Sequence, residues 1–195
     1  MGHKEQLLEG AKQCLYAKGY ARTTARDIVA ASGANLASIG YHYGSKEALL
    51  TAAMIDAVGE WSDRVAGSVR TDRSDPMGRF EEMMNRLARS YPEVRTMVAA
   101  NFEALAQLDH RPELRDQLVG AHASARRFLA AMVLGVPAED VTEEQEGGLG
   151  ALLLALIPGT MAMHLVDPGS APDGTRLAEG MRLLAPAGPA GEGRG

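Results

Sequence analysis

Apolar positions recur along this chain at the three- and four-residue spacing of helices, and no stretch keeps the two-residue rhythm of a strand. The pattern predicts about nine helical segments and no internal repeat. The first runs from about Lys4 to Lys18, with Leu7, Leu8, Ala11, Cys14 and Leu15 on one face and Gly19 as its stop. Two short helices follow, about Ala25 to Ser32 and Leu36 to Tyr43, separated by Gly33, where a left-handed turn is expected. Ser45 is a good N-cap for a fourth, reaching about Val69.

Beyond that, Arg70–Ser74 is polar and reads as a linker. Asp75-Pro76 places a cap before a first-turn proline, opening a fifth helix to about Ser90. Pro92 opens a sixth to about Leu108, and His110-Arg111-Pro112 breaks the chain before a seventh, to about Leu134. Thr142-Glu143-Glu144-Gln145 has capping-box spacing and starts an eighth, and a ninth covers about Asp173 to Ala185. The Pro/Gly-rich tail is expected to be disordered.

These elements divide into residues 1–50, a three-helix helix-turn-helix unit with its motif at about 24–43; residues 51–185, a second helical region; and the tail 186–195. The expected fold class is all-α. Gly147–Val166 carries no Asp, Glu, Lys or Arg, a length that alone would span a bilayer. Four glycines, Pro158, Thr160 and His164 interrupt it and no basic flank marks an inside face, so a buried or interface helix is expected, kinked at Pro158.

Charge changes the picture. The chain has a net charge of −5, yet residues 1–50 hold six Lys/Arg against four acids, and the remainder is strongly acidic. That pattern excludes a general polyanion sponge and permits a local DNA contact by the N-terminal segment. Cys14 is the sole cysteine, so a disulfide within the chain is impossible, and a buried thiol is expected. Met1–Glu9 is polar and shows no signal peptide, which points to the cytoplasm, with no membrane partner.

The short helix pair carries the candidate chemistry. Thr23 or Thr24 can cap the first of the pair and meet a phosphate there. Asn35 caps the second, whose early positions Leu36, Ala37, Ser38 and Gly40 are small enough for close approach to a major groove. Ser38 can meet a base edge, and Leu36 or Ala37 a thymine methyl. Ile28, Val29, Ile39 and Tyr43 are expected to face the core. Tyr41, His42 and Lys46 are candidate phosphate contacts.

Read in order, Gly19-Tyr20, Thr23-Thr24, Arg26-Asp27-Ile28-Val29, Ser32-Gly33-Ala34, Ile39-Gly40-Tyr41-His42-Tyr43 and Ser45-Lys46-Glu47-Ala48-Leu49-Leu50 resemble the DNA-binding domain of TetR-family transcriptional regulators, over about 32 residues. Gly40 replaces a frequent tyrosine, Tyr43 a phenylalanine, and Val29 and Ser32 alanines.

The resemblance implies a homodimeric repressor on a palindromic double-stranded operator, released by a small, apolar effector and not an enzyme. It implies DNA contacts from Thr23, Thr24, Arg26, Asn35, Leu36, Ala37, Ser38, Tyr41, His42, Tyr43 and Lys46. It implies dimerisation through the last two helices, where Gly147, Gly150, Ala151 and Leu154 leave a smooth surface. It also implies an effector pocket among the middle helices, with Met97, Phe102, His122, Phe128, Met161 and His164 as candidate lining. The histidines lack metal-ligand spacing, and no metal or cofactor is expected. The readings to set against it are a helical small-molecule-binding protein or enzyme without DNA binding, and a protein-interaction bundle.

Overall fold

The computed structural model describes residues 2–67, 75–106, 108 and 112–184, and the side chains within them except those of 112–114. The expected linker at 70–74, most of the break at 110–112 and the tail from 186 lie outside the described residues. Among the described residues there are helices and no strand. We label them α1 (His3–Lys18), α2 (Ala25–Ser32), α3 (Leu36–Tyr43), α4 (Lys46–Gly67), α5 (Pro76–Leu105), α6 (Pro112–Leu134), α7 (Glu143–Val166) and α8 (Gly174–Leu184).

The fifth and sixth expected helices are one. Pro92 lies inside α5, where its missing N–H and its ring disfavour an α-helix by about 3 kcal/mol. The helix survives because Leu87, Tyr91, Val94, Met97 and Val98 are buried on both sides of it. Each such side chain contributes about 1.5–3 kcal/mol on full burial. Trp61 adds an anchor from α4, its indole N–H donating to Ser90 Oγ at 2.9 Å.

Capping followed the sequence closely. Asp75 accepts from Gly78 N at 2.8 Å, and Ser45 Oγ accepts from Ala48 N at 3.0 Å. Thr142 and Gln145 form the reciprocal box, at 3.2 and 3.0 Å. The next turn was not foreseen: Glu146–Gly150 is a π-turn, after which α7 continues as α-helix through Pro158.

Two apolar clusters organise the molecule. One gathers Leu7, Ala11, Leu15, Tyr20, Ile28, Ile39, Leu49, Leu50 and Met54, together with Ala100 and Ala104 of α5 and Leu118 of α6. The other gathers Ala57, Trp61 and Val65 with Phe80, Met84, Leu87 and Tyr91 of α5, Leu153, Ile157 and Met161 of α7, and Ala178 of α8. Helix α4 passes through both, so its two halves belong to different packing units joined by one rigid element.

At the α1–α4 seam, Lys12 is only 5% exposed. Its ammonium lies 2.6 Å from Glu9, 2.8 Å from Asp56 and 2.7 Å from Glu60. Burial pulls its pKa down, but the bonds to Asp56, Glu60 and Glu9 outweigh that and hold it above the ordinary lysine value. These three carboxylates are close enough together to hold a metal ion, and the lysine fills that space.

Candidate nucleic-acid interface

Helices α2 and α3 are each eight residues long, too short to persist alone, and are fixed by caps and by one buried isoleucine apiece. Ile28 is fully buried and Ile39 nearly so. Thr24 caps α2: its Oγ1 accepts from Asp27 N at 3.2 Å, and Asp27 Oδ2 accepts from Thr24 N at 2.9 Å and from Thr24 Oγ1 at 2.7 Å. The other carboxylate oxygen accepts from Lys18 Nζ. The Lys18 bond, with the two from Thr24, holds the Asp27 carboxyl well below its ordinary range. Gly33 ends α2 with φ +68°, the left-handed conformation the turn requires.

Asn35 caps α3, its Oδ1 accepting from Ser38 N at 2.9 Å and from Ser38 Oγ at 3.0 Å. Leu36 is 57% exposed and Tyr41 86% exposed. Ala37 and Gly40 are exposed with them. A Cβ placed on Gly40 would meet nothing within 4 Å. His42 packs edge-on against Tyr41, ring centres 4.8 Å apart. Helix α3 therefore turns one side to the core through Ile39 and presents another side to solvent.

The expected contact residues divide on this geometry. Thr24, Arg26, Asn35, Leu36, Ala37 and Tyr41 are exposed, and Ser38 and His42 partly so. Thr23 is a correction: it is 1% exposed, and its hydroxyl donates to Gly19 O at 2.7 Å, so the side chain braces the α1–α2 turn. Tyr43 is held inward as well. Its hydroxyl donates to Lys4 O at 2.9 Å, Lys4 Nζ sits 5.9 Å from its ring centre, and burial, with Asp56 and Glu5 adding to it, pushes its pKa up. Lys46 donates to Thr23 O at 3.0 Å and lies 3.4 Å from Glu47, which ties α4 to the turn before α2.

Of the residues expected to line an effector pocket, Met161 and His164 meet in a narrow slot with Tyr91, Arg95, Val98 and Leu165 that is too tight to hold a water molecule. The Tyr91 ring packs at a tilt against His164, ring centres 5.3 Å apart, and its hydroxyl lies 2.9 Å from Thr160 Oγ1. Met97 is buried in the core, Phe102 packs against that core, and Phe128 is partly buried outside the slot. His122 is a correction, since it is exposed on α6.

Gly150 is a third correction. It is buried, and a Cβ there would lie 2.4 Å from Arg126 O of α6, so its smallness serves packing within the chain. Glu146 strengthens the same contact by pairing with Arg126 at 3.5 Å and Arg127 at 2.9 Å. Gly147 is exposed, and Ala151 and Leu154 are half-buried.

Fold and site together define an all-α protein with an N-terminal helix-turn-helix whose second helix faces solvent. Residues 7–53 match the sequence model described as "Bacterial regulatory proteins, tetR family". Over 82 residues the chain is 33% identical to the HTH-type transcriptional regulator TtgR of Pseudomonas putida, a match covering 42% of this chain and 39% of that protein. The same figures hold for the probable HTH-type transcriptional regulator ArpR of Pseudomonas putida. The matched segment thus spans well under half the length of these relatives.

Among solved structures, a TetR transcriptional regulator from Rhodococcus sp. RHA1 superposes with TM-score 0.67 at 20% identity, over 95% of this chain and 97% of that one. The multidrug binding protein EbrR, complexed with imidazole, superposes with TM-score 0.66 at 21% identity, over 95% and 91%. Residues 7–53 thus match the N-terminal domain of the TetR family, and the solved structures share the fold of nearly the whole chain.

Proposed function

We propose that the chain is a ligand-responsive DNA-binding transcriptional regulator of the cytoplasm, most simply a repressor, that holds a palindromic operator as a homodimer. The exposed side of α3, set behind the Gly33 turn inside the family-matched segment, carries this reading. Two α3 helices related by a two-fold axis would enter successive major grooves, and the operator's half-sites would mirror that symmetry. On this reading residues 1–50 are the DNA-binding unit, and 51–185 sense the effector and dimerise.

Surface chemistry supports the dimer. Leu152, Met163 and Val166 of α7 and Leu183 and Leu184 of α8 are exposed. Helix α7 is long and apolar enough to cross a membrane by length and composition, with 22% of its most apolar window buried. Glu143, Glu144 and Glu146 in its first turns, and His164 packed beside Tyr91, favour a protein interface over lipid.

The coupling runs through α4. An effector that wedged open the closed Tyr91–His164 slot would shift α5 and α7 against Trp61 and Val65 of α4, and α4 also carries Leu49, Leu50 and Met54 into the core beneath α3. Such an effector must bind the DNA-incompetent state more tightly, or it shifts nothing. The binding of imidazole and of proflavin by EbrR makes small aromatic compounds the first effectors to try. The proposal is tested by fluorescence anisotropy with a pool of duplexes at low salt, alongside sedimentation. It predicts two chains per selected duplex and a steep loss of affinity with salt. A stable monomer that binds no duplex contradicts it.

A further inference from the structure

Granting the DNA-binding reading, on which this rests, we infer that the chain reads its operator through thymine methyl groups. At 100° per residue, Leu36, Gly40, Ala37 and Tyr41 fall in that order across an arc of roughly 140° on α3. All four are exposed. The arc holds no charge, and its one polar side-chain group is the Tyr41 hydroxyl, at the C-terminal end. Ile39 and Tyr43, roughly 60° and 20° beyond Leu36 on the other side, pack against the core and bound the arc there.

Three polar side chains near the arc are already engaged. Ser38 gives its hydroxyl proton to Asn35 Oδ1, and that same oxygen also accepts the Ser38 amide. Thr23 is turned inward, and Lys46 is held on Thr23 O. What remains at the N-terminal end, where a recognition helix meets base edges, is one isobutyl group, one methyl and a glycine. The open space over Gly40 lets the helix backbone come close to the groove floor. In the major groove the only apolar feature a base pair offers is the C5-methyl of thymine. Leu36 and Ala37 are therefore matched to T-containing steps, and guanine or adenine recognition by bidentate hydrogen bonds has no side chain on this arc.

The test uses the full chain and its own selected site. Duplexes are selected from a random pool, and each conserved thymine is replaced singly by deoxyuridine, which removes the methyl and keeps the base pair. One or two positions per half-site should lose about fourfold in affinity, the ~0.8 kcal/mol of one buried carbon converted at about 1.4 kcal/mol per tenfold. Replacement in both half-sites should lose about sixteenfold.

In Leu36→Ala, an exposed change that leaves the core intact, one of these uridine penalties should vanish while the others persist. Affinity unchanged by uridine at every position, with losses instead on 7-deazapurine substitution, overturns the inference and returns base reading to Asn35 and Ser38. A chain that binds no duplex removes the DNA-binding reading and this inference together.

Discussion

Gly40 on α3 and Gly150 at the end of the π-turn in α7 sit in two small-residue patches that look alike as sequence, each a smooth surface for something to approach. The structure separates them. Around Gly40 there is open space, whereas a Cβ at Gly150 would lie 2.4 Å from a backbone carbonyl of α6. One glycine keeps a surface available to a partner, and the other has been used to bring two helices of the same chain together. The contrast shows that small residues mark a close approach and do not say whose surface approaches.

Substitution at Gly150 should break this contrast most severely. Gly150→Val drives branched carbon into the Arg126 carbonyl, which is backbone and cannot rotate away. Overpacking of this kind costs about 2–3 kcal/mol, or close to 8 °C in melting temperature for a chain of this size, read by thermal unfolding. A variant as stable as the parent would place Gly150 back on a free surface.

Lys12→Met should come next. It leaves Glu9, Asp56 and Glu60 facing one another across the α1–α4 seam. The loss should be about 1–2 kcal/mol, less than for a fully buried pair because the carboxylates are about half-exposed and screened by water. In the parent the pKa of Lys12 is raised, so its contribution is complete below the unfolded lysine value and disappears only as pH rises through the folded value. Equal stability of parent and variant across that range would remove the seam from the account.

The two threonines sharpen the comparison inside the N-terminal unit. Thr23→Val should lower stability by about 1 kcal/mol by leaving Gly19 O without its donor. It should leave the salt dependence of DNA binding unchanged, because the side chain does not reach the surface. On the acid side, the Lys18 and Thr24 bonds depress Asp27, so its stabilisation is present above the ordinary carboxylate value. It is lost as pH falls through the depressed one. Asp27→Asn should flatten that part of the stability profile, and an unchanged profile would show the Lys18 bond to be idle.

Gly40→Ala should have the smallest effect on stability, a gain of about 0.5–1 kcal/mol from helix propensity. It should weaken duplex binding all the same, since a methyl now stands in the middle of the exposed arc. Here stability and affinity move in opposite directions, whereas Gly150→Val lowers the first and leaves operator preference alone.

The N-terminal unit was legible in the sequence because its signals are local. Thr24, Gly33, Asn35 and Ser45 act within four residues, and Ile28 and Ile39 follow helical spacing. Failures came where a distant partner decides the outcome. Thr23 and Thr24 are alike as text, and only the position of the Gly19 carbonyl turns one inward. Pro92 reads as a boundary, yet burial of Tyr91 and Val94 against other helices carries α5 through it. Gly150 is committed by α6, some two dozen residues upstream. His122 was assigned to a pocket by its helix alone, with no signal for the face it occupies.

The central claim is that the exposed arc of α3 is where this chain meets DNA. Leu36→Glu places a negative charge on that arc while leaving both cores untouched. Its dissociation constant for a duplex selected by the parent chain, measured with the melting temperature, tests the claim most directly. The account predicts binding at least about 100-fold weaker, the order expected for an anion set against the groove and its phosphates, with melting unchanged within about 2 °C. Parent-like affinity in the folded variant would contradict it.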